Sequence, residues 1–441
     1  MLTPEDVYQW HLYKDKGGPT FSGSESWRSF LGFLEEKLRE YGLADMFRNT
    51  WTYDRWFTSE WPDDSGWGLE SAGKTVKAAG YGANSGSTGP EGITREMVYY
   101  DREAPPTDIA DKIVVFTTSS GGRDGRPGPP PQKSVSADTF GQLTQTREFT
   151  GILQKGKAAG GLVVFDMSYD RAAGLYTFPA PALHQTPTLY LDRIAGASVV
   201  GDARSGKTAS IRLTAEVEST ETFQLIGYLP GKDYGTKKDQ KILLITHTDG
   251  PSISQDNGAL GLLGIVAHIS RIPEAERSKT LMVFLDNRHY MPGAERVFVE
   301  QNWFEKNPGA KESIVSVVAT EHMGQREYRE DGDVFEPTCR PEASLIYTRD
   351  NQAHVDLAQK AINDHEWPRA FVQREGGPGV IWYGLGRTAV TWDLPAFALG
   401  SNMGAYWATT ARIEDFDKDL FCTQVSGMAQ LTRELMRPDF T

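Results

Sequence analysis

Cysteine is scarce in this sequence: the 441 residues include two, Cys339 and Cys422. Two thiols cannot build a disulfide framework or a thiolate metal site. Long uncharged apolar runs are missing too, so we predict no membrane span. The opening stretch up to Gly18 carries acids and no apolar core, which is not the pattern of a secretory signal. We therefore expect a cytoplasmic chain, with a mature exported form as the alternative.

Positive charge is also in short supply. Lysine and arginine total 46 against 59 acidic residues, which gives a formal net charge of -13 and a pI near 5.2. Without a basic stripe to neutralise phosphates, nucleic acid and anionic membranes are excluded as expected partners. With 39% hydrophobic and 24% charged residues, the composition is typical of globular proteins. The chain is long enough to form two domains, each with its own hydrophobic core. We expect a small-molecule substrate and leave self-association into a homo-oligomer open.

The second half of the chain alternates strand and helix patterns. Strands are predicted over 242–246, 281–286, 313–320 and 396–399, and helices over 258–272, 294–304, 354–364 and 421–436. This alternation favours an α/β fold in which a mostly parallel mixed sheet is flanked by helices. Ligands of such sheets bind beyond the carboxyl ends of the strands.

The first half has a different pattern. Helical spacing of apolar residues predicts an amphipathic helix over 26–41. Short apolar runs then alternate with loops, at 112–116, 161–165 and 187–191, which predicts a small β-rich inserted domain. The predicted division is an N-terminal part of the catalytic domain at 1–85, the insert at 86–218 and the catalytic α/β domain at 219–441.

Polar side chains stand where the predicted strands end. His247 and Asp249 follow the first strand, Asp256 opens the next helix, and Glu321 closes a later strand. Imidazole and carboxylate suit zinc and neighbouring divalent metals, so His247, Asp256 and Glu321 are candidate ligands. Asp249 could orient the ring of His247. The alternative is that His247 is a hydrogen-bonded structural residue at a strand end.

These residues resemble the M28 family of aminopeptidase-like zinc hydrolases. That family has His-x-Asp at a strand end, then Asp-Asn or Asp-Asp before Gly and a helix, then a strand ending in Asp-Met-x-Gly. This sequence has His247-Thr248-Asp249, Asp256-Asn257-Gly258 and Glu321-His322-Met323-Gly324. The segments KAAGGLVVF and TPTLYLDRIAG are similar to the protease-associated domain often inserted in the family. The resemblance covers most of the chain and implies a zinc-aminopeptidase-like fold.

Departures from the family pattern fall at its second metal site. Asn287-Arg288 stand where the family has Glu-Glu, of which the first is the general base and the second a metal ligand. Asparagine takes up no proton at neutral pH, and arginine stays protonated. A gap of one residue would place Arg288-His289 there instead, with His289 as a ligand. The C-terminal Tyr-His of the family is replaced by Tyr406-Trp407. The resemblance therefore implies at most one metal.

The remaining candidates are assigned roles around this site. Arg288 would hold a developing oxyanion or a substrate carboxylate, and it would repel a second cation beside Asp256 and Glu321. His289 and His322 are candidates for the base or for a replacement ligand. Asn287 is expected to contact the substrate.

Aromatic side chains near the C-terminus allow two interpretations. They would either line a pocket for an apolar or aromatic substrate or pack in the core; the residues are Trp382, Tyr383, Tyr406 and Trp407.

The favoured hypothesis is a metal-dependent, hydrolase-like enzyme of the M28 type, with one zinc ion or none. Its substrate would be a small organic amide, ester or lactone, or a peptide. Because the Glu-Glu pair is lost, the alternatives are another activity on the same scaffold, such as a lyase, and a catalytically inactive binding protein.

Overall fold

The computed structural model describes residues 2–120, 135–176, 183–292, 303–402, 407–438 and 440. None of the helices in these ranges is long and apolar enough to cross a bilayer. Most of the predicted helix over 294–304 lies outside the described residues.

Eighteen strands occur in the described ranges. The first nine are β1 (Ala44–Phe57), β2 (Trp67–Ser71), β3 (Lys74–Val76), β4 (Gly80–Tyr81), β5 (Ile93–Tyr99), β6 (Ile113–Thr117), β7 (Gly160–Val164), β8 (Thr188–Leu191) and β9 (Thr208–Leu213). The others are β10 (Glu216–Leu229), β11 (Lys241–His247), β12 (Thr280–Asp286), β13 (Ile314–Glu321), β14 (Arg326–Asp331), β15 (Val334–Pro341), β16 (Ser344–Thr348), β17 (Ala370–Arg374) and β18 (Ala396–Ser401).

The described helices, apart from three short 3₁₀ turns, are distributed over both halves of the chain. They are α1 (Pro4–Gly17), α2 (Glu25–Glu40), α3 (Val135–Lys155), α4 (Tyr169–Ala172), α5 (Arg193–Arg204), α6 (Ile253–Asp256), α7 (Gly258–Ile269), α8 (Trp303–Lys306), α9 (Pro308–Glu312), α10 (Gln352–Asp364), α11 (Thr388–Trp392) and α12 (Lys418–Leu435). Apart from the helix over 294–304, the strands and helices predicted in the second half agree with these bounds to within a few residues.

The first sheet has eight strands in the order β1-β10-β12-β11-β13-β18-β16-β17. Its central strands β12, β11, β13 and β18 are parallel, whereas β10 and β16 join them antiparallel. Alternate residues of β11 enter different cores: Ile242 and Leu244 pack on one face, Leu243 and Ile245 on the other. Burial on both faces explains the continuous apolar run of this strand.

The second sheet also has eight strands, in the order β3-β2-β9-β5-β6-β7-β8-β4. Strands β5 to β8 are parallel, and parallel neighbours need crossover connections. The 21-residue helix α3 supplies the crossover from β6 to β7. The unit predicted to be β-rich is therefore an α/β unit, and its sheet begins at Trp67, before the predicted boundary at 86.

Strands β1 and β10 connect the two units. Each is 14 residues long, and they pair antiparallel from Ala44↔Tyr228 to Phe57↔Glu216. Phe223 packs in the core of the first sheet, while Trp56 packs in the core of the second.

Gly258 allows the start of α7 to approach the first sheet closely. A Cβ at this position would lie 2.1 Å from the carbonyl oxygen of Thr320 and 2.4 Å from Oγ1 of Thr246. Thr246 Oγ1 also donates to that carbonyl at 2.7 Å, which joins the end of β11 to that of β13, and Thr320 Oγ1 donates to the carbonyl oxygen of Gly258 at 2.8 Å, which joins β13 to the helix.

We predict that Gly258→Ala lowers the free energy of unfolding by about 1–3 kcal/mol, because the added methyl has no space. Gly309→Ala in α9 is the matched control, since a Cβ there meets nothing within 4 Å. That control should be neutral or stabilising by up to about 1 kcal/mol. Urea unfolding followed by circular dichroism measures both changes, and equal midpoints for the two variants would contradict the prediction.

Candidate functional site

The candidate site lies at the carboxyl ends of the parallel strands of the first sheet. His247 ends β11 and is in register with Asp286, the last residue of β12. On the other side of β11, β13 ends in Glu321, which is paired with Gly400 of β18. The predicted strand ends are therefore neighbours in the sheet, as expected for ligands beyond the carboxyl ends of parallel strands.

His247 is buried, and its ring orientation is fixed. Nδ1 lies 2.8 Å from the main-chain oxygen of Asp249; because a carbonyl only accepts, Nδ1 carries the proton. The ring of His289 stacks on it, with centroids 4.0 Å apart and an interplanar angle of 16°. The carboxylate of Asp249 is farther from Nδ1, at 3.8 Å. The close contact by which Asp249 orients His247 is thus made by its backbone oxygen.

The carboxylate of Asp249 holds the loop that carries His289. It accepts hydrogen bonds from the backbone N–H of His289 at 3.2 Å and of Tyr290 at 2.6 Å. Burial raises the pKa of Asp249 to about 7; these hydrogen bonds oppose the shift, and the charge of Asp286 adds to it. Asp249 therefore positions the His289 loop.

Glu321 is buried against a glycine. Its Oε1 accepts a hydrogen bond from the backbone N–H of Leu385 at 2.6 Å. Gly384, with φ of 74°, lies so close that a Cβ there would be 2.5 Å from Oε1. Both the left-handed backbone and the close approach require glycine at this position.

His322 adopts a left-handed backbone with φ of 55°, and its ring is buried. Nδ1 donates to the carbonyl oxygen of Ser401 at 3.1 Å, and Nε2 accepts from the side-chain amide of Gln255 at 3.0 Å. Burial lowers the pKa of His322 to about 3, and the nearby His247 lowers it as well. The imidazole is therefore neutral at pH 7, the form in which histidine binds metals.

The donor atoms of His247, Glu321 and His322 all lie within 4.8 Å of one another. Ligands of a tetrahedral zinc ion, with bonds of about 2.0–2.2 Å, are roughly 3.4 Å apart, so these side chains would need to move together by about an ångström. Gln255 would also have to release Nε2 of His322. Two imidazoles and a carboxylate fit a divalent metal in their chemistry.

The structure does not bring Asp256 into this group of donors. Its carboxylate forms a salt bridge with Nζ of Lys14 at 3.1 Å and accepts a hydrogen bond from the hydroxyl of Thr20. Both charged side chains are almost completely buried. Burial raises the pKa of Asp256, and the charge of Lys14 offsets part of that shift. The geometry thus assembles His322, instead of the predicted Asp256, with His247 and Glu321.

Lys14 is not among the residues predicted from the sequence, although its position on α1 carries a signal. Val7, Trp10, His11 and Lys14 are the buried residues of α1, at the spacing of one helical face. A lysine on an otherwise buried stripe indicates a buried partner. Nζ also donates to the carbonyl oxygen of Gly18 at 3.0 Å, at the end of the helix.

Arg288 forms an ion pair with Asp286, a carboxylate other than the Asp256 and Glu321 beside which it was predicted. Its guanidinium binds both oxygens of Asp286, Nε to Oδ1 at 2.9 Å and Nη2 to Oδ2 at 2.7 Å. Burial alone would raise the pKa of Asp286, but the charge and hydrogen bonds of Arg288 outweigh it and lower that pKa. The carboxylate of Asp286, two residues away in sequence, accepts two parallel hydrogen bonds because its two oxygens match the spacing of the N–H groups of a planar guanidinium.

Asn287 is fully buried, and its side-chain amide donates to Thr222. Its backbone N–H donates to Oδ1 of Asp286 at 2.8 Å. These contacts stabilise the end of β12. The role of Asn287 in substrate contact stays a prediction.

The described aromatic candidates belong to hydrophobic cores. Trp382 is buried and stacks on Tyr347, with ring centroids 5.6 Å apart; Tyr383 packs on the same core. Trp407 is buried in the core of the second sheet, 5.1 Å from the ring of Phe140. Core packing is therefore the interpretation that these contacts favour. Tyr406 lies outside the described residues.

Comparison with known proteins identifies the fold. The sequence matches no protein-family model and no curated protein. Among solved structures, the chain is similar to a peptidase M28 precursor from Shewanella amazonensis, with a TM-score of 0.68 and 14% identity over 99% of this chain and 97% of that one. A zinc aminopeptidase from Bacillus subtilis gives a TM-score of 0.65 and 10% identity over 100% of this chain and 97% of that one.

An aminopeptidase from Aneurinibacillus sp. strain AM-1 matches with a TM-score of 0.57 and 13% identity, over 97% of this chain and 93% of that one. At such identities the likeness shows the fold alone. The predicted mixed α/β fold of the zinc-aminopeptidase type is confirmed.

The Lys14–Asp256 pair is testable through stability. We predict that Lys14→Met lowers the free energy of unfolding by about 3–5 kcal/mol, because it leaves Asp256 buried without its cation. Adding Asp256→Asn should recover most of this loss, since no charge is then left over.

Lys16→Met is the matched control, because Lys16 is exposed on the same helix. It should change stability by no more than about 0.5 kcal/mol. Urea unfolding at pH 7 measures all variants. The buried-pair interpretation fails if Lys14→Met costs no more than Lys16→Met.

Proposed function

We propose that this chain is a hydrolase-like enzyme that works with a single divalent metal, held by His247, Glu321 and His322. The observation that carries the proposal is the meeting of these three donors at the carboxyl edge of the first sheet. The fold supports it, since the similar solved structures include those of a zinc aminopeptidase from Bacillus subtilis. Zinc is the first candidate because it accepts imidazole and carboxylate ligands in a four-coordinate site.

Zinc in such a site polarises a substrate carbonyl or lowers the pKa of a bound water. His247 is prepared to bind through Nε2, because the backbone oxygen of Asp249 holds the proton of Nδ1. His322 is prepared in the same way by the carbonyl oxygen of Ser401. Such hydrogen bonds fix the tautomer and orientation of a ligand and raise its basicity.

Proton transfer in this site falls to His289 in our proposal. Arg288 is held by Asp286, and Asn287 cannot accept a proton, so neither replaces a carboxylate base. The ring of His289 is partly exposed and stacks on that of His247. An imidazole can accept or donate a proton near neutral pH.

The proposed substrate is a small organic amide, ester or lactone, or a peptide. These classes share a carbonyl that one metal can polarise and that a metal-activated water can attack. The unit built on the second sheet is proposed to be a domain of the protease-associated type, because it is inserted between β1 and β10 of the first sheet.

A catalytically inactive binding protein is the second candidate. The Lys14–Asp256 pair favours it, because a carboxylate expected to bind metal is neutralised by a side chain instead.

Metal binding separates these candidates without relying on turnover. We expect the metal-free protein to take up one Co²⁺ per chain and to show the intense visible bands of a four-coordinate site. His247→Asn, Glu321→Gln and His322→Asn should each weaken Co²⁺ binding by more than about tenfold, since even supporting residues of metal sites have effects of 10–100-fold. Asparagine also tolerates the left-handed backbone of position 322.

Two controls make this test specific. Lys14→Met combined with Asp256→Asn should retain one Co²⁺, because Asp256 is outside the proposed ligand set. His268→Asn removes a partly exposed histidine of α7 and should change nothing. No bound metal would favour the inactive protein, and two metals per chain would refute the single site. If the protein binds one metal, its hydrolysis of amides, esters and lactones is then measured with and without a chelator.

A further inference from the structure

The hairpin β14–β15 reaches from the first sheet to the unit built on the second sheet, which we call the second unit. Among the described strands, its two strands pair with each other and with no strand of either eight-stranded sheet. β14 begins at Arg326, shortly after the donor residues Glu321 and His322. The hairpin therefore extends from the edge that carries the candidate metal site.

Glu330 of β14 binds a set of donors that belong to the second unit. Oε1 accepts hydrogen bonds from the backbone N–H of Ser168 at 2.6 Å and from Nη2 of Arg193 at 2.9 Å. Oε2 accepts one from Nη1 of Arg171 at 2.6 Å. Both carboxylate oxygens are thus engaged, and the side chain is only 11% exposed. Burial alone would raise the pKa of Glu330, but the Ser168 N–H and the charge of Arg171 outweigh it and lower that pKa, so the group is charged at pH 7.

The donors lie beyond the carboxyl ends of two strands of the second sheet. Ser168 and Arg171 follow β7, and Arg193 follows β8. These strands are neighbours and run parallel. Ligands of α/β sheets bind at this edge. Glu330 therefore occupies the position of a ligand of the second unit, although it belongs to the first.

The second unit holds its two arginines in place for this contact. Arg171 has a side chain that is 4% exposed, and its Nη2 donates to Oδ2 of Asp138 at 2.7 Å, which leaves Nη1 for the carboxylate of Glu330. The other acid near Arg193 is Asp166, at 3.9 Å, which is beyond hydrogen-bond distance. Donors that are already fixed lose little freedom when they bind a carboxylate, which favours a specific site.

The segment held by this site continues into a contact with the first unit. Helix α4 contains Arg171, and Tyr176 follows it closely in sequence. The ring of Tyr176 stacks on that of Phe21, with centroids 4.2 Å apart, and contacts that of Tyr290 at 5.7 Å. Tyr290 follows His289, the residue proposed for proton transfer. The same segment therefore packs the second unit against the His289 loop.

Two backbone hydrogen bonds join this segment to the first unit and allow the contact to be measured. The N–H of Tyr176 donates to the carbonyl oxygen of Trp407 at 2.6 Å, and the N–H of Thr409 donates to that of Gly174 at 3.0 Å. A Cβ on Gly174 would lie 2.3 Å from Oγ1 of Thr409, so the two segments are in close contact. Such N–H groups exchange with solvent when the contact opens locally.

We propose that the carboxyl edge of the second sheet is a carboxylate-binding site, and that Glu330 is its built-in ligand. Occupation of the site straps the hairpin to the second unit and holds Tyr176 against the His289 loop. Two guanidinium groups and one backbone N–H suit a carboxylate, because charge-assisted hydrogen bonds are the strong ones. The proposal does not rest on the metal chemistry proposed above, since none of these donors is a metal ligand.

Chemical rescue of the full chain with acetate tests the proposal. Glu330→Ala removes a CH₂–carboxylate fragment, for which acetate is the free equivalent. Hydrogen exchange followed by mass spectrometry should show the amides of Tyr176 and Thr409 exchanging at least about tenfold faster in this variant, since one hydrogen bond to a charged group contributes enough for such a change. Acetate, added at constant ionic strength against chloride, should restore slow exchange saturably, whereas acetamide, its neutral analogue, should not.

Two further variants make the test specific. Glu336→Ala is the matched control, because Glu336 lies on the same hairpin but forms an exposed pair with Arg329 at 2.5 Å. It should leave both amides unchanged, with or without acetate. Glu330→Gln keeps the size of the side chain but not its charge. It should speed exchange as well, but acetate should not reverse the effect, because the site is still filled.

Three results would overturn the proposal. The first is exchange in Glu330→Ala that is no faster than in Glu336→Ala, which shows that the hairpin does not hold the two units together. The second is faster exchange that acetate does not slow, or that acetamide slows equally, which shows that no carboxylate site is present. Should Glu330→Ala not fold, Glu330→Gln decides the matter, and exchange equal to that of the unmodified chain is the third.

Discussion

The cost of burying negative charge dominates the organisation of this structure. One edge of the first sheet gathers four buried carboxylates, those of Asp249, Asp256, Asp286 and Glu321. An isolated carboxylate in an apolar interior is strongly disfavoured, so each requires a compensating group. Backbone N–H groups serve Asp249 and Glu321, whereas full cations serve the other two. Asp256 and Asp286 are therefore engaged in ion pairs. Glu321 is the carboxylate whose donor atoms lie close to those of His247 and His322.

Much of the fold could be predicted from the sequence, because hydrophobic periodicity reports burial directly. The apolar run before His247 indicates a strand covered on both faces, and such strands belong to parallel sheets flanked by helices. The positions of His247 and Glu321 follow from the same logic, since the carboxyl ends of parallel strands meet at one edge. The second unit was harder to predict: its parallel strands need helical crossovers, and the apolar spacing of α3 did not reveal one.

The partners of the charged side chains could not be predicted, because they depend on contacts between segments far apart in the chain. The family resemblance placed Asp256 among metal ligands, but α1 delivers Lys14 to it from the other end of the sequence. Arg288 was expected to face the metal site, yet a nearer carboxylate, Asp286, offers its guanidinium a bidentate partner. For His322, its left-handed backbone decides where the ring points. Spacing indicates that Lys14 is buried, but pattern and spacing do not identify which partner each of these side chains meets.

The contact that α1 and the residues just after it make with Asp256, the last residue of α6, also constrains the order in which the chain can fold. Thr20 and Asp256 are 236 positions apart, so the polar cluster around Asp256 closes a very long loop. Contacts of such sequence separation form late, because the loss of chain entropy precedes any gain from them. Until α1 packs against the sheet, the carboxylate of Asp256 must remain hydrated or protonated, and the carboxyl edge of the sheet stays accessible to solvent. We therefore expect docking of the N-terminal helix to be the step that converts a folded sheet into a finished site.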